Sequence, residues 1–238
     1  MNKIDYSIVI PVYNSGPTLV QLFNELDEFF SSIQQNFEII FVNDFSSDDS
    51  KSVINQLKSQ YPAKIKLFNL PGNKGQHFAT YLGLKSAKGE YVVTMDDDLQ
   101  VKPREILKLI NQQKLTQGDL IYGYFQDKKH GKIQNLGSWL VLSLISLIFK
   151  PLKGISSFRL LKKDLVHQLK SGKPKVLYLD ILLNYHAANP DCVEVAHCIR
   201  EFGKSGYNYF KLFKLFSQLV IGICILKWFP SKLSTEVN

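Results

Sequence analysis

Apolar residues follow two rhythms along the first half of this chain, and the rhythms alternate. Residues 6–12 (YSIVIPV), 37–42 (FEIIFV), 65–69 (IKLFN) and 91–95 (YVVTM) are short runs rich in β-branched and aromatic residues, the composition of buried strands. Between the first two, Leu19, Leu22, Phe23, Leu26 and Phe29 or Phe30 recur at helical spacing. Asn14-Ser15-Gly16-Pro17 is a turn, with Ser15 or Thr18 placed to cap that helix. Helices are expected over 50–61 and 76–87, then over 104–114 behind Pro103, before a strand at 120–124. Such alternation predicts a mainly parallel, Rossmann-like α/β sheet with helices on both faces. The polar tips Tyr13-Asn14, Asn43-Asp44 and Asp96-Asp97-Asp98 then share the carboxyl edge of the sheet, where ligands bind in open α/β folds.

Past the strand at 120–124 the pattern changes. Residues 126–132 (QDKKHGK) form a polar, basic loop, followed at 139–149 by WLVLSLISLIF, eleven residues without a charge. A second apolar region, 207–229, carries Lys211, Lys214 and Lys227, and its longest uncharged stretch is twelve residues, 215–226. Spanning a bilayer takes about 20 residues. Both regions therefore read as core helices or as amphipathic helices in the membrane interface. The expected organisation is one α/β domain over 1–206, with halves 1–98 and 99–206, and a C-terminal amphipathic, membrane-associating segment over 207–238. No signal peptide is expected, because the start runs directly into a strand pattern.

Net charge is +8, but unevenly spread. Residues 1–98 hold 8 Lys, no Arg and 12 acidic residues, a net of −4; residues 99–238 hold the other 21 basic residues against 9 acidic ones, a net of +12. A half that is both basic and apolar suits an anionic membrane surface or a phosphate-bearing lipid. Nucleic acid ranks low as a partner: there is no zinc-finger spacing, helix-turn-helix pattern or basic–aromatic interleaving. Cys192, Cys198 and Cys224 are odd in number and lack metal-site spacing, which fits reduced thiols in a cytosolic compartment.

The densest chemistry is the Asp96-Asp97-Asp98 triplet behind the fourth strand. Adjacent carboxylates repel one another unless a cation compensates them. Hard oxygen ligands suit Mg2+ or Mn2+ carrying a diphosphate. The ordinary alternative is a solvated acidic turn, with Asp97 the best candidate for merely capping it.

Five motifs in order resemble the family 2 glycosyltransferases, of the GT-A fold. Val9-Ile10-Pro11-Val12-Tyr13-Asn14 resembles the first-strand motif of that family. Residues 38–48 (EIIFVNDFSSD) resemble its "VDDGSSD", and Asn73-Lys74-Gly75-Gln76-His77-Phe78-Ala79 resembles "NxGQHxA". Met95-Asp96-Asp97-Asp98-Leu99-Gln100, with Pro103, resembles "DADLQxPP", and residues 200–207 (REFGKSGY) resemble "RxxGxSKY". Within the family, the likeness is to the branch that moves sugars to polyprenyl phosphates: dolichyl-phosphate mannose synthases, bactoprenyl glucosyltransferases and undecaprenyl-phosphate aminoarabinose transferases. Asn43 and Phe45 depart from the Asp and Gly of "VDDGSSD", in a region that contacts the nucleobase in the family.

The resemblance implies an inverting, metal-dependent transferase of hexosyl or related groups, taking a nucleotide diphosphate sugar as donor and undecaprenyl phosphate as acceptor, for cell-surface glycan synthesis. Its expected place is the cytoplasmic face of the membrane, peripheral or monotopic. Asp98 and Asp96 are the expected ligands of Mg2+ or Mn2+. Pro11, Tyr13, Asn43, Asp44, Asn73, Gly75, Gln76, Asp96 and Asp97 are the expected donor contacts; Asp44 could instead cap a helix. Arg159, Arg200, Ser205, Lys128 and Lys129 are expected to hold the acceptor phosphate, since Arg grips phosphate in a fork. Two other readings stay open. One is extension of a saccharide with Asp180 as base, although a helix cap is its more ordinary role. The other is a non-catalytic, membrane-associated nucleotide-sugar-binding protein. A homo-oligomer is compatible with the sequence.

Overall fold

The structure is a computed structural model that describes residues 3–125, 154–170 and 179–198. Lys128, Lys129, Arg200, Ser205, Cys224 and the apolar stretches 139–149 and 207–229 lie outside these residues. Strands β1 (Tyr6–Val12), β2 (Phe37–Asn43), β3 (Ile65–Asn69) and β4 (Tyr91–Thr94) alternate with helices α1 (Gly16–Ser32), α2 (Ser50–Gln60) and α3 (Gln76–Ser86). Helix α4 (Ile106–Thr116), entered through a 3-10 turn at Pro103–Glu105, leads to β5 (Leu120–Tyr124). Then come β6 (Arg159–Lys162), α5 (Lys163–Lys170), α6 (Leu179–His186) and β7 (Pro190–Glu194).

The described strands form one seven-stranded sheet, in the order β3-β2-β1-β4-β6-β5-β7. Only β6 runs antiparallel to its neighbours, β4 and β5. Every residue of β1 and β2 is buried, as expected of parallel strands covered on both faces. Their alternation sorts the core into two layers. Ile8, Ile10, Val12, Ile39 and Phe41 pack with Leu22, Phe23 and Leu26 of α1, Ile54 of α2 and Leu109 of α4. Val9, Ile40 and Val42 face the other way, onto Ala79 and Leu84 of α3, Leu165 and Leu169 of α5, and Leu183 of α6. At Gly83 of α3 an added Cβ would run into Val9, so that glycine sets how closely α3 lies on β1.

The topology carries the site. Because β6 is antiparallel, its first residue, Arg159, pairs with Thr94, the last of β4. The Ser156–Arg159 segment is therefore delivered to the carboxyl edge, beside the Asp triplet.

Candidate functional site

The loops after β1, β2 and β4 meet at that edge and are tied together by side chains. The Asn14 amide donates to Ser46 Oγ (3.1 Å), and the Ser47 amide donates to Asn14 Oδ1 (2.8 Å). The Ser15 amide donates to Ser50 Oγ (2.9 Å), while Asp48 accepts from the amides of Gly16 and Ser50 (both 3.0 Å). Thr18 Oγ1 donates to the Asp97 carbonyl (2.6 Å). Among the described residues, five non-glycines have positive φ, and three of them, Asn14 (53°), Phe45 (63°) and Leu99 (60°), sit in these loops. Left-handed backbone persists where surrounding contacts over-determine it, and it clusters at functional sites.

The three aspartates point to different partners. Asp96 accepts from Gln76 Nε2 of α3 (2.5 Å) and from Ser157 Oγ (2.6 Å). Asp97 Oδ2 accepts from the Tyr13 amide (3.2 Å) and so ties β4 to the first loop. Asp98 Oδ1 accepts from the Gln100 amide (3.2 Å). The turn-capping role expected of Asp97 therefore falls to Asp98, because only Asp98 lies two residues before a turn amide aimed back at it. Burial pushes the Asp97 carboxyl up to about 7, with Asp96 and Asp98 adding repulsion against the pull of Ser15 and the Tyr13 amide.

Two expected base contacts are buried in structural bonds. Asn43, 3% exposed, donates through Nδ2 to Asn69 Oδ1 (3.0 Å) and accepts at Oδ1 from the Ser46 amide (3.0 Å). Asp44, also 3% exposed, accepts from the amides of Lys74 (2.6 Å) and Gly75 (2.8 Å), just ahead of α3. Asp44 therefore caps neither α2 nor α3; it braces the segment that leads into α3 from a different loop. The backbone of the Asn73–Gly75 segment, an expected donor contact, is thereby held by a carboxylate of the chain itself. Pro11 is buried in β1, whereas Tyr13 and Phe45 are exposed.

Arg159 and Asp180 form a buried pair beneath the triplet, with side chains 3% and 5% exposed. Arg159 Nε donates to Thr94 Oγ1 (3.0 Å), and Thr94 Oγ1 donates to the Ser157 carbonyl (2.6 Å). Asp180 Oδ1 also accepts from Tyr122 Oη (3.1 Å), which in turn accepts from Asn184 Nδ2 (2.8 Å). The chain of contacts runs from α6 through Arg159 and Thr94 to Ser157 and Asp96. His77 faces the same pair, and its pKa is lowered, by burial first, with Asp180 raising it and Arg159 lowering it. Arg159 is thus placed as a buried cation paired to Asp180 rather than on an open phosphate surface. Asp180 is placed as its counter-ion, with its side chain 5% exposed. Ser157 and Thr94 were not singled out from sequence; no motif marks them, and only the antiparallel register of β6 brings them to Asp96.

Comparison with known proteins decides the family. The profile of "Glycosyl transferase family 2" matches residues 7–164. The chain belongs to glycosyl transferase family 2. Among its family 2 relatives, the undecaprenyl-phosphate 4-deoxy-4-formamido-L-arabinose transferase of Klebsiella pneumoniae is 28% identical over 90% of this chain and 66% of its own length. The Edwardsiella ictaluri protein of the same name is 30% identical over the same shares. The chain spans about two thirds of the length of these curated relatives. The mannosyltransferase PcManGT from Pyrobaculum calidifontis, solved with GDP-Man and Mn2+, superposes with a TM-score of 0.64 at 15% identity, covering 92% of this chain and 65% of that one. At that identity the likeness speaks for the fold alone, the GT-A arrangement expected from the motifs.

Proposed function

We propose that this chain is an inverting glycosyltransferase that moves a sugar from a nucleotide diphosphate sugar to a polyprenyl phosphate, undecaprenyl phosphate first among them. One observation carries the reading. The match to relatives named for undecaprenyl phosphate runs through about 90% of the chain, and so includes its basic, apolar half as well as its acidic one.

The residues at the β4 edge fit a divalent cation. Asp96 and Asp98 offer hard carboxylate oxygens in one loop, and three neighbouring carboxylates suit a cation. Among the described residues no three His, Cys, Asp or Glu side chains form a ready-made cage. Mg2+ needs none, since one or two carboxylates and the substrate's phosphates suffice. When bound, Mg2+ or Mn2+ neutralises charge that develops on the leaving diphosphate.

The protein's own part is positioning. Gln76 and Ser157 fix the Asp96 carboxylate from two sides. Tyr13 offers an exposed ring for the nucleobase. A polyprenyl phosphate oxygen is already anionic and attacks the anomeric carbon without a general base, provided cations hold the two phosphates together. In this reading Arg200, Ser205, Lys128 and Lys129 meet the acceptor, and Arg159 supports Asp96 from below. In this reading the place of action is the cytoplasmic membrane face, where the relatives' named lipid acceptor and the basic, apolar half of the chain would meet.

The test is incubation with undecaprenyl phosphate, Mn2+ and a panel of labelled UDP-, dTDP- and GDP-sugars. Label extracted with the lipid is expected. Label that passes only to a saccharide acceptor would overturn the reading.

A further inference from the structure

The loop after β2 carries an aromatic side chain where the backbone disfavours one. Phe45 has φ 63° and is 59% exposed. Positive φ is uncommon for any residue but glycine, and for a bulky side chain it is a true outlier. An exposed phenyl on strained backbone gains nothing from burial. Here the strain is held in place by named contacts. The Asn43 side chain accepts from the Ser46 amide directly behind Phe45, and is itself braced by Asn69. Ser46 and Ser47 are tied to Asn14 of the neighbouring loop. Phe45 and Tyr13, which is 53% exposed, are therefore borne on tips that are bonded to each other.

The polar side chains at this corner tell the other half. Asn43 and Asp44 are both buried, with their oxygens engaged by the Ser46, Lys74 and Gly75 amides. Neither is presented to read the hydrogen-bonding edge of a base. Beside the exposed Asn14 and Ser47, which are bonded to each other, the tips of β1 and β2 present two aromatic residues to solvent.

We propose that the Phe45 ring is a stacking platform for the donor's nucleobase and makes donor recognition tolerant of base identity. The inference rests on the proposed function, since it needs a nucleotide donor. Every base has a π-face, so stacking binds without discriminating, whereas edge hydrogen bonds discriminate.

The experiment is calorimetric titration of UDP, dTDP and GDP, each with Mn2+, into the full chain and into Phe45→Gly and Phe45→Trp. Wild type should bind the three nucleotides within about tenfold of one another. Phe45→Gly should weaken all three together, by about tenfold or more, while its thermal midpoint stays level or rises because glycine accepts the left-handed backbone. Phe45→Trp should keep wild-type affinity or tighten it. Wild-type affinity in Phe45→Gly would overturn the platform, and so would a loss confined to one base. If Phe45→Trp binds as weakly as Phe45→Gly, stacking is not the interaction and the proposal fails. A wild-type chain that binds no nucleotide at all would instead overturn the donor reading beneath it.

Discussion

Replacing Asp180 with Asn separates two opposite roles for the same carboxylate. The substitution keeps the shape and an oxygen at Oδ1, so Tyr122 still has an acceptor. What it removes is the charge facing Arg159, a guanidinium whose side chain is 3% exposed. Breaking a buried pair by neutralising one partner costs about 3–5 kcal/mol, because the other charge stays buried without compensation. Asp180→Asn should therefore lose about 3–5 kcal/mol in urea unfolding, seen as a lower midpoint at an unchanged slope. Arg159→Met should cost a similar amount. The double variant should cost well below the sum, with a coupling of about 2 kcal/mol or more. Activity per folded molecule should fall by less than about tenfold, since the pair reaches Asp96 only through Thr94 and Ser157. The reasoning is refuted if Asp180→Asn costs under about 1 kcal/mol yet abolishes turnover, for then the carboxylate works as an acceptor base.

Three further outcomes follow from the same geometry. The folded Asp97 carboxyl keeps its proton up to about pH 7 while the unfolded one loses it near 3.8, so the metal-free protein should become less stable as pH rises between those values. The slope is at most about 1.4 kcal/mol per pH unit, and urea midpoints for Asp97→Asn should lack that component. Ser157→Ala removes one of the two donors on Asp96 and should weaken Mn2+-dependent nucleotide binding by about tenfold or more in calorimetric titration, with little change in melting. Gly83→Ala drives a methyl into Val9 and should cost about 1–3 kcal/mol by urea unfolding, because α3 must lift from β1.

Much of this fold was legible because its first half obeys simple periods. β1 and β2 are buried throughout and read as apolar runs, and α1 shows its stripe from Leu19 to Phe30. Two strands were not legible. β6 is only four residues, Arg-Leu-Leu-Lys, too short to show a period. β7 begins with Pro190 and Asp191 and sits at the sheet edge, half-buried, where a missing amide is tolerated. The convergence of Tyr13, Asp44 and the Asp triplet could be read from strand ends alone. The fates of Asn43, Asp44, Arg159 and Asp180 could not. A polar side chain at a strand end faces either a ligand or a neighbouring loop, and only the packing of β6 and α3 decides between them.

The central claim is that the carboxyl end of β4 is a metal–diphosphate site. Electron paramagnetic resonance of Mn2+ titrated with UDP tests it directly, comparing the wild-type chain with Asp98→Asn. The account predicts that wild type and UDP together deplete the free Mn2+ signal beyond what UDP alone does, and that Asp98→Asn loses most of this extra binding. Equal depletion by wild type and Asp98→Asn, or none beyond UDP alone, would contradict it.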